Sequence, residues 1–117
     1  LAMLLTHKRN DVVAVVTVAG NLDIDGWTEF HHFSRLKHSL NPTLQRPLPR
    51  TIVQLHYLGA EDKNIPRNVH QLAVEHQNQA SPILVLGINH QCCWQDRWQR
   101  ILKKTAASFK FPSDDLQ

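Results

Sequence analysis

A carboxylate and an imidazole, each just past the end of an apolar run, are the groups in this chain best equipped to move a proton. Asp62 stands three residues past Gly59, after the run Thr51 to Leu58, and His90 stands two past Ile88, after the run Pro82 to Ile88. A carboxylate held against an imidazole fixes the tautomer of the ring and stabilises its protonated form. That is the support a general base needs to activate a hydroxyl nucleophile. The nucleophile is the missing third. The serines are Ser34, Ser39, Ser81, Ser108 and Ser113, and none sits in a Gly-x-Ser-x-Gly elbow, the strained strand-to-helix turn that exposes a serine at the top of a sheet. Asp23 is the rival acid, because it too follows an apolar run, residues 12–18; an Asp at such a place otherwise forms a turn.

These residues need a scaffold that brings distant strand ends together. Residues 12–18, Val-Val-Ala-Val-Val-Thr-Val, are nearly all β-branched, uncharged and not alternating, the pattern of a strand buried on both faces of a parallel sheet. Residues 51–58 and 82–88 read as two more strands. Between them Pro66 suits a first helical position, and Val69, Leu72, Ala73 and His76 follow at i, i+3, i+4 and i+7, so residues 66–79 form a crossover helix. Trp94, Trp98, Ile101, Leu102, Thr105 and Phe109 mark a helix over residues 94–109, and Trp27, Phe30, Phe33 and Leu36 a short one from Gly26 to Leu36. Residues 1–9 read as the remainder of a helix, with no capping side chain before it. Pro42, Pro47 and Pro49 make residues 39–50 a surface loop, and the tail from Pro112 is expected to be loose. Strands alternating with crossover helices give one three-layer α/β domain, a parallel sheet of about three strands with right-handed connections. In such sheets ligands collect at the carboxyl ends of the strands, where Asp23, Asp62 and His90 all stand.

Composition narrows the function. A chain of 117 residues with 42% hydrophobic content builds one core and no second domain. The longest uncharged apolar run, residues 12–20, falls well short of the roughly 20 residues that cross a bilayer. Net charge is +3, but Lys8-Arg9 and Lys103-Lys104 are the only adjacent basic pairs and acidic residues intervene, which speaks against a nucleic-acid partner. Cys92 and Cys93 are neighbours, poorly placed to bond to each other, and lack zinc-site spacing. The eight histidines contain no His-Glu-x-x-His, and although His31, His32 and His38 lie near one another in sequence, the adjacent His31 and His32 diverge on a helix, so neither a metal nor a cofactor is expected.

The stretch Gly59-Ala60-Glu61-Asp62-Lys63-Asn64-Ile65-Pro66 resembles the acid motif of the α/β-hydrolases, and Gly87-Ile88-Asn89-His90 resembles their histidine loop. The family's order of acid before base is kept, and Trp94 with Trp98 fits its final helix. Thr17 to Asp23 with Trp27 is similar to the sixth strand and following loop of a bacterial branch of esterase- or lipase-like members. The resemblance covers nearly all of this chain but only the C-terminal part of a typical hydrolase domain. It implies a fragment of a serine hydrolase acting on an ester or related acyl substrate, with the Ser-bearing elbow, and any targeting signal, encoded upstream of Leu1. It further implies that His90 takes and returns the proton, that Asp62 orients it, that Trp27 and Phe30 line the acyl or alcohol pocket, and that this chain alone is inactive. The other expectation comes from the residues alone: a non-catalytic α/β module that binds a partner, or its own copy through the flat apolar edge of the strand over residues 12–18.

Overall fold

The computed structural model describes residues 1–79 and 82–108. Ser81, Phe109, Ser113 and the tail from Pro112 lie outside the described residues. Three strands, β1 (Ala14–Val18), β2 (Val53–Gly59) and β3 (Ile83–Val85), pair in parallel in the order β1-β2-β3. The register sets Thr17 beside His56 and Val18 beside Tyr57, and on the other side Tyr57 beside Ile83 and Gly59 beside Val85. Among the described residues four helices accompany the sheet: α1 (Ala2–Thr6), α2 (Ile24–Phe30), α3 (Arg67–His76) and α4 (Trp98–Ser108). The central strand is therefore β2, and the chain is an α/β fold with a three-stranded parallel sheet.

The ends of the elements depart from the sequence expectation for identifiable reasons. The third strand, expected over residues 82–88, pairs for only three residues, because the chain turns at Leu86 and Gly87, where φ is +75°. The short helix expected from Gly26 to Leu36 starts earlier, at Ile24, because the Asp23 carboxylate accepts from the Gly26 N–H at 3.0 Å and so caps it. It ends earlier too, at Phe30. His32 adopts φ 58°, its N–H bonds to the Glu29 carbonyl, and the Phe33 N–H reaches back to Thr28, the paired bonds that close a helix through a left-handed residue. The crossover helix closes in the same way at Asn78 (φ 61°), through Asn78 N–H to Glu75 and Gln79 N–H to Val74, so it stops at His76 rather than at residue 79. The C-terminal helix opens with a single 3-10 turn, Trp94–Arg97, before α4 begins.

Part of the apolar core packs as one cluster around Val15 of the sheet. Met3 of α1, Val15 of β1, Leu22, Leu48, and Ala73 and Val74 of α3 form one buried cluster. The same core is polar where β2 crosses it. Gln54 and His56, alternate residues of β2, are buried, and His56 Nε2 lies 2.9 Å from the Gln54 carboxamide oxygen while Nδ1 lies 2.7 Å from the Thr17 hydroxyl. A carboxamide oxygen only accepts, so Nε2 carries the proton and Nδ1 accepts from Thr17. His70 of α3 is 1% exposed, and neither of its ring nitrogens has a hydrogen-bond partner among the described residues.

Burial holds both imidazoles neutral. It pushes His56 down to about 4, with the neighbouring His70 adding to the fall, and pushes His70 down to about 4 against the opposing pull of Asp62. Below pH 6.5 the unfolded chain binds protons at these positions that the fold refuses. Stability is therefore full above pH 6.5 and is lost as pH falls toward 4, by up to about 1.4 kcal/mol per pH unit per histidine. The urea midpoint is expected to drop steeply from pH 7 to pH 5. His70→Leu, which replaces an unpartnered ring by an apolar side chain, should raise the midpoint at pH 7 and flatten its pH dependence; equal midpoints at pH 7 and pH 5 in the unsubstituted protein would contradict this account.

Candidate active site

The acid loop is built by the end of β2. Past Gly59 the chain stays tied to its neighbour, with Ala60 N–H bonded to the Val85 carbonyl at 2.9 Å and Glu61 N–H to the Ile88 carbonyl at 3.1 Å, and then closes on itself through Asp62 N–H to Gly59 O at 3.1 Å. This turn swings the Asp62 side chain inward until it is 0% exposed. One carboxylate oxygen, Oδ1, accepts from the Asn64 and Ile65 backbone N–H groups, each at 2.8 Å; the other, Oδ2, lies 3.0 Å from His90 Nδ1. Both oxygens of the buried carboxylate are thus occupied by donors, as the cost of burying such a group requires.

The histidine loop is held by an asparagine. Asn89 Oδ1 accepts from Gln91 N–H at 2.9 Å and Cys92 N–H at 2.7 Å, and Asn89 N–H donates to the Cys92 carbonyl at 2.9 Å, so His90 sits at the centre of a tight turn closed from both sides. Cys92 and Cys93 follow with a cis peptide between them. With Nδ1 turned to Asp62, His90 keeps Nε2 without a protein partner among the described residues, and 38% of its side chain is exposed. It opens on a cleft of about 550 Å³ lined by Glu61, Lys63, Asn64, Asn89, His90 and Gln91.

The remaining sequence candidates lie elsewhere. Asp23 has a structural surround: besides capping α2 its Oδ1 accepts from Asn41 Nδ2 at 2.9 Å and Thr43 Oγ1 at 3.2 Å, which pins the loop before β2 to the start of the helix. Trp27 is not among the residues lining the cleft; its indole N–H points to the Asn64 carbonyl at 3.1 Å, and His31 Nε2 lies 2.7 Å from the same oxygen. Trp27 in the middle of α2 and His31 at its C-terminal cap therefore brace the acid loop from outside. Phe30 is 52% exposed and meets His31 edge-on. The sequence named Asn89 within the histidine loop and His31 only in a discounted metal group, and missed that the first closes the turn and the second braces the acid loop; only Asn89 carried a signal of its role, as a turn-prone residue directly before the histidine.

Comparison with protein-family models, with curated proteins and with solved structures gives no match. Among the described residues no helix is long and apolar enough to cross a membrane, and no group of three or more His, Cys, Asp or Glu side chains converges as metal ligands do.

The pair depends on the backbones of the two loops touching. A Cβ built on Gly59 would land on the Ile88 carbonyl oxygen and within 2.8 Å of its carbon. Backbone cannot rotate away as a side chain can, so Gly59→Ala is expected to cost about 2–3 kcal/mol in urea unfolding. It should also displace the His90 imidazole resonances in NMR, whereas an Ala variant with an unchanged His90 signal would mean that the loops approach less closely than described.

Proposed function

We propose that this chain supplies the acid and base of a serine hydrolase that cleaves an ester or related acyl substrate, with His90 as general base and Asp62 as the residue that orients it. The observation that carries this reading is the 3.0 Å contact between the wholly buried Asp62 Oδ2 and His90 Nδ1, made at the carboxyl ends of two adjacent parallel strands beside an open cleft. Proton location follows from the acceptor. A carboxylate oxygen facing Nδ1 takes a hydrogen bond from Nδ1–H, which leaves Nε2 as the basic nitrogen on the solvent side. From there it can draw the proton from a serine hydroxyl as that oxygen attacks the acyl carbon, and hand it to the leaving alcohol when the tetrahedral adduct collapses. While the ring carries that proton, the buried carboxylate balances its charge. The resemblance of the two loops to those of the α/β-hydrolases supports the same assignment, and by it the serine belongs to a segment that precedes Leu1. Glu61, Lys63 and Gln91 at the cleft rim then face the substrate side, while Trp27 and His31 act behind the acid loop.

The native gene product is expected to be labelled by a fluorophosphonate at a serine within Gly-x-Ser-x-Gly and to hydrolyse p-nitrophenyl acetate. His90→Ala and Asp62→Asn should each lower that turnover by about 10³–10⁴-fold with the circular dichroism spectrum unchanged, and Asp23→Asn should leave it within a few-fold. A product that is not labelled, or full activity in Asp62→Asn with loss in Asp23→Asn, would overturn the reading.

A second reading, a non-catalytic module that binds a partner or its own copy, draws on one observation: β1 stands at the edge of the sheet, and Val13 just before it is 64% exposed. A free edge of this kind pairs with further strands. On that reading sedimentation equilibrium of the 117-residue chain gives a dimer that Val16→Lys disperses; a monomer at high concentration counts against it.

A further inference from the structure

A second cavity, of about 330 Å³, lies where the end of the sheet meets the C-terminal helix, and it shares no residue with the cleft at His90. Its floor is apolar, with Tyr57 of β2, Leu84 of β3 and Ile101 of α4. Its rim is cationic, with Arg97, Arg100 and Lys104. Spacings of three and four residues put these cations on one side of the helix and the turn before it, so the charges are gathered rather than scattered. None of the three forms an ion pair with a carboxylate among the described residues. The Tyr57 hydroxyl is buried and has no hydrogen-bond partner among the described residues.

We infer that this cavity binds a single-chain fatty carboxylate, with the alkyl chain on the Tyr57–Leu84–Ile101 floor and the carboxylate held by Arg97, Arg100 and Lys104. Charge complementarity decides the class. Three cations with no carboxylate partner among the described residues, around an apolar floor, match a ligand with one anionic end and one apolar body, and they disfavour a neutral hydrocarbon, which would leave their charge unmet. Guanidinium groups present paired N–H donors that fit the two oxygens of a carboxylate side by side. The arginine and lysine stems cover the alkyl chain while their heads meet the charge. A volume near the lower limit of small-molecule sites sets the size at one chain of medium length rather than a diacyl lipid. The inference stands apart from the role given to Asp62 and His90, since neither residue takes part.

Decanoate, kept below its micellar concentration, is titrated into the 15N-labelled chain, with acetate and 1-decanol as the two halves of the ligand. Saturable shifts are expected at Leu84, Arg100 and Ile101 with decanoate, and binding at least tenfold weaker with either half. Arg100→Ala combined with Lys104→Ala should weaken decanoate at least tenfold while leaving the circular dichroism spectrum unchanged. Because both side chains are exposed, this variant is expected to fold; Lys104→Glu alone provides a second reading in the same direction. Decanol binding as tightly as decanoate would reduce the site to an apolar groove, and acetate binding as tightly would reduce it to surface charge. Either result, or unchanged decanoate affinity in both variants, overturns the inference.

Discussion

Everything at the carboxyl end of the sheet depends on two backbones lying against each other beside Gly59. The Ile88 carbonyl occupies the space in which any other residue at position 59 would carry its Cβ, and it accepts the Glu61 N–H from that position. Because the contact is between backbones, it fixes the origin of the acid loop relative to the origin of the histidine loop with little freedom left to side chains. Each loop then needs only a short turn of its own, centred on the Asp62 carboxylate in one and the Asn89 carboxamide in the other. The 3.0 Å approach of Oδ2 to Nδ1 is the result of these three constraints acting in series.

Distance along the chain is thereby converted to proximity through the parallel register. Tyr57 pairs with Ile83 and Gly59 with Val85, so the loops leave the sheet at the same level and in the same direction. The crossover helix between them contributes more than a connection. It begins directly after the acid loop and places His70 under the sheet, close enough for the Asp62 charge to act on it. The polar row of Gln54, His56 and Thr17 continues that region of the core. A fold that buries two neutral imidazoles, one of them within reach of a carboxylate's charge, gives up stability in acid for a polar interior.

The sequence made the sheet legible because its signal is local. An unbroken β-branched run such as residues 12–18 has few uses other than a buried strand, and the observed β1 lies within it. The helix over Arg67–His76 was legible from its apolar spacing for the same reason. What escaped depends on contacts between distant segments. Leu86 and Ile88 look as strand-like as Ile83, and only the pull of Glu61 on the Ile88 carbonyl and the positive φ of Gly87 show why pairing ends at Val85. Helix ends were misread because His32 and Asn78 take the left-handed position without a glycine to announce it. At the site, Asp62 and His90 were visible as residues at strand ends, whereas the bracing of Asn64 by Trp27 and His31 joins positions more than thirty residues apart and leaves no mark in spacing.

The two oxygens of Asp62 are not equivalent, and this makes the carboxylate a selector of tautomer. Oδ1 faces two backbone N–H groups that cannot become acceptors, so that side of residue 62 must always present oxygen. An amide in the same place would obey the same demand and turn its NH2 toward His90. Nδ1 would then have to accept, and the ring proton would move to Nε2, the nitrogen that must be free of it to act as a base. The backbone turn after Asp62 thus writes, through one side chain, which nitrogen of a histidine in another loop is able to take a proton.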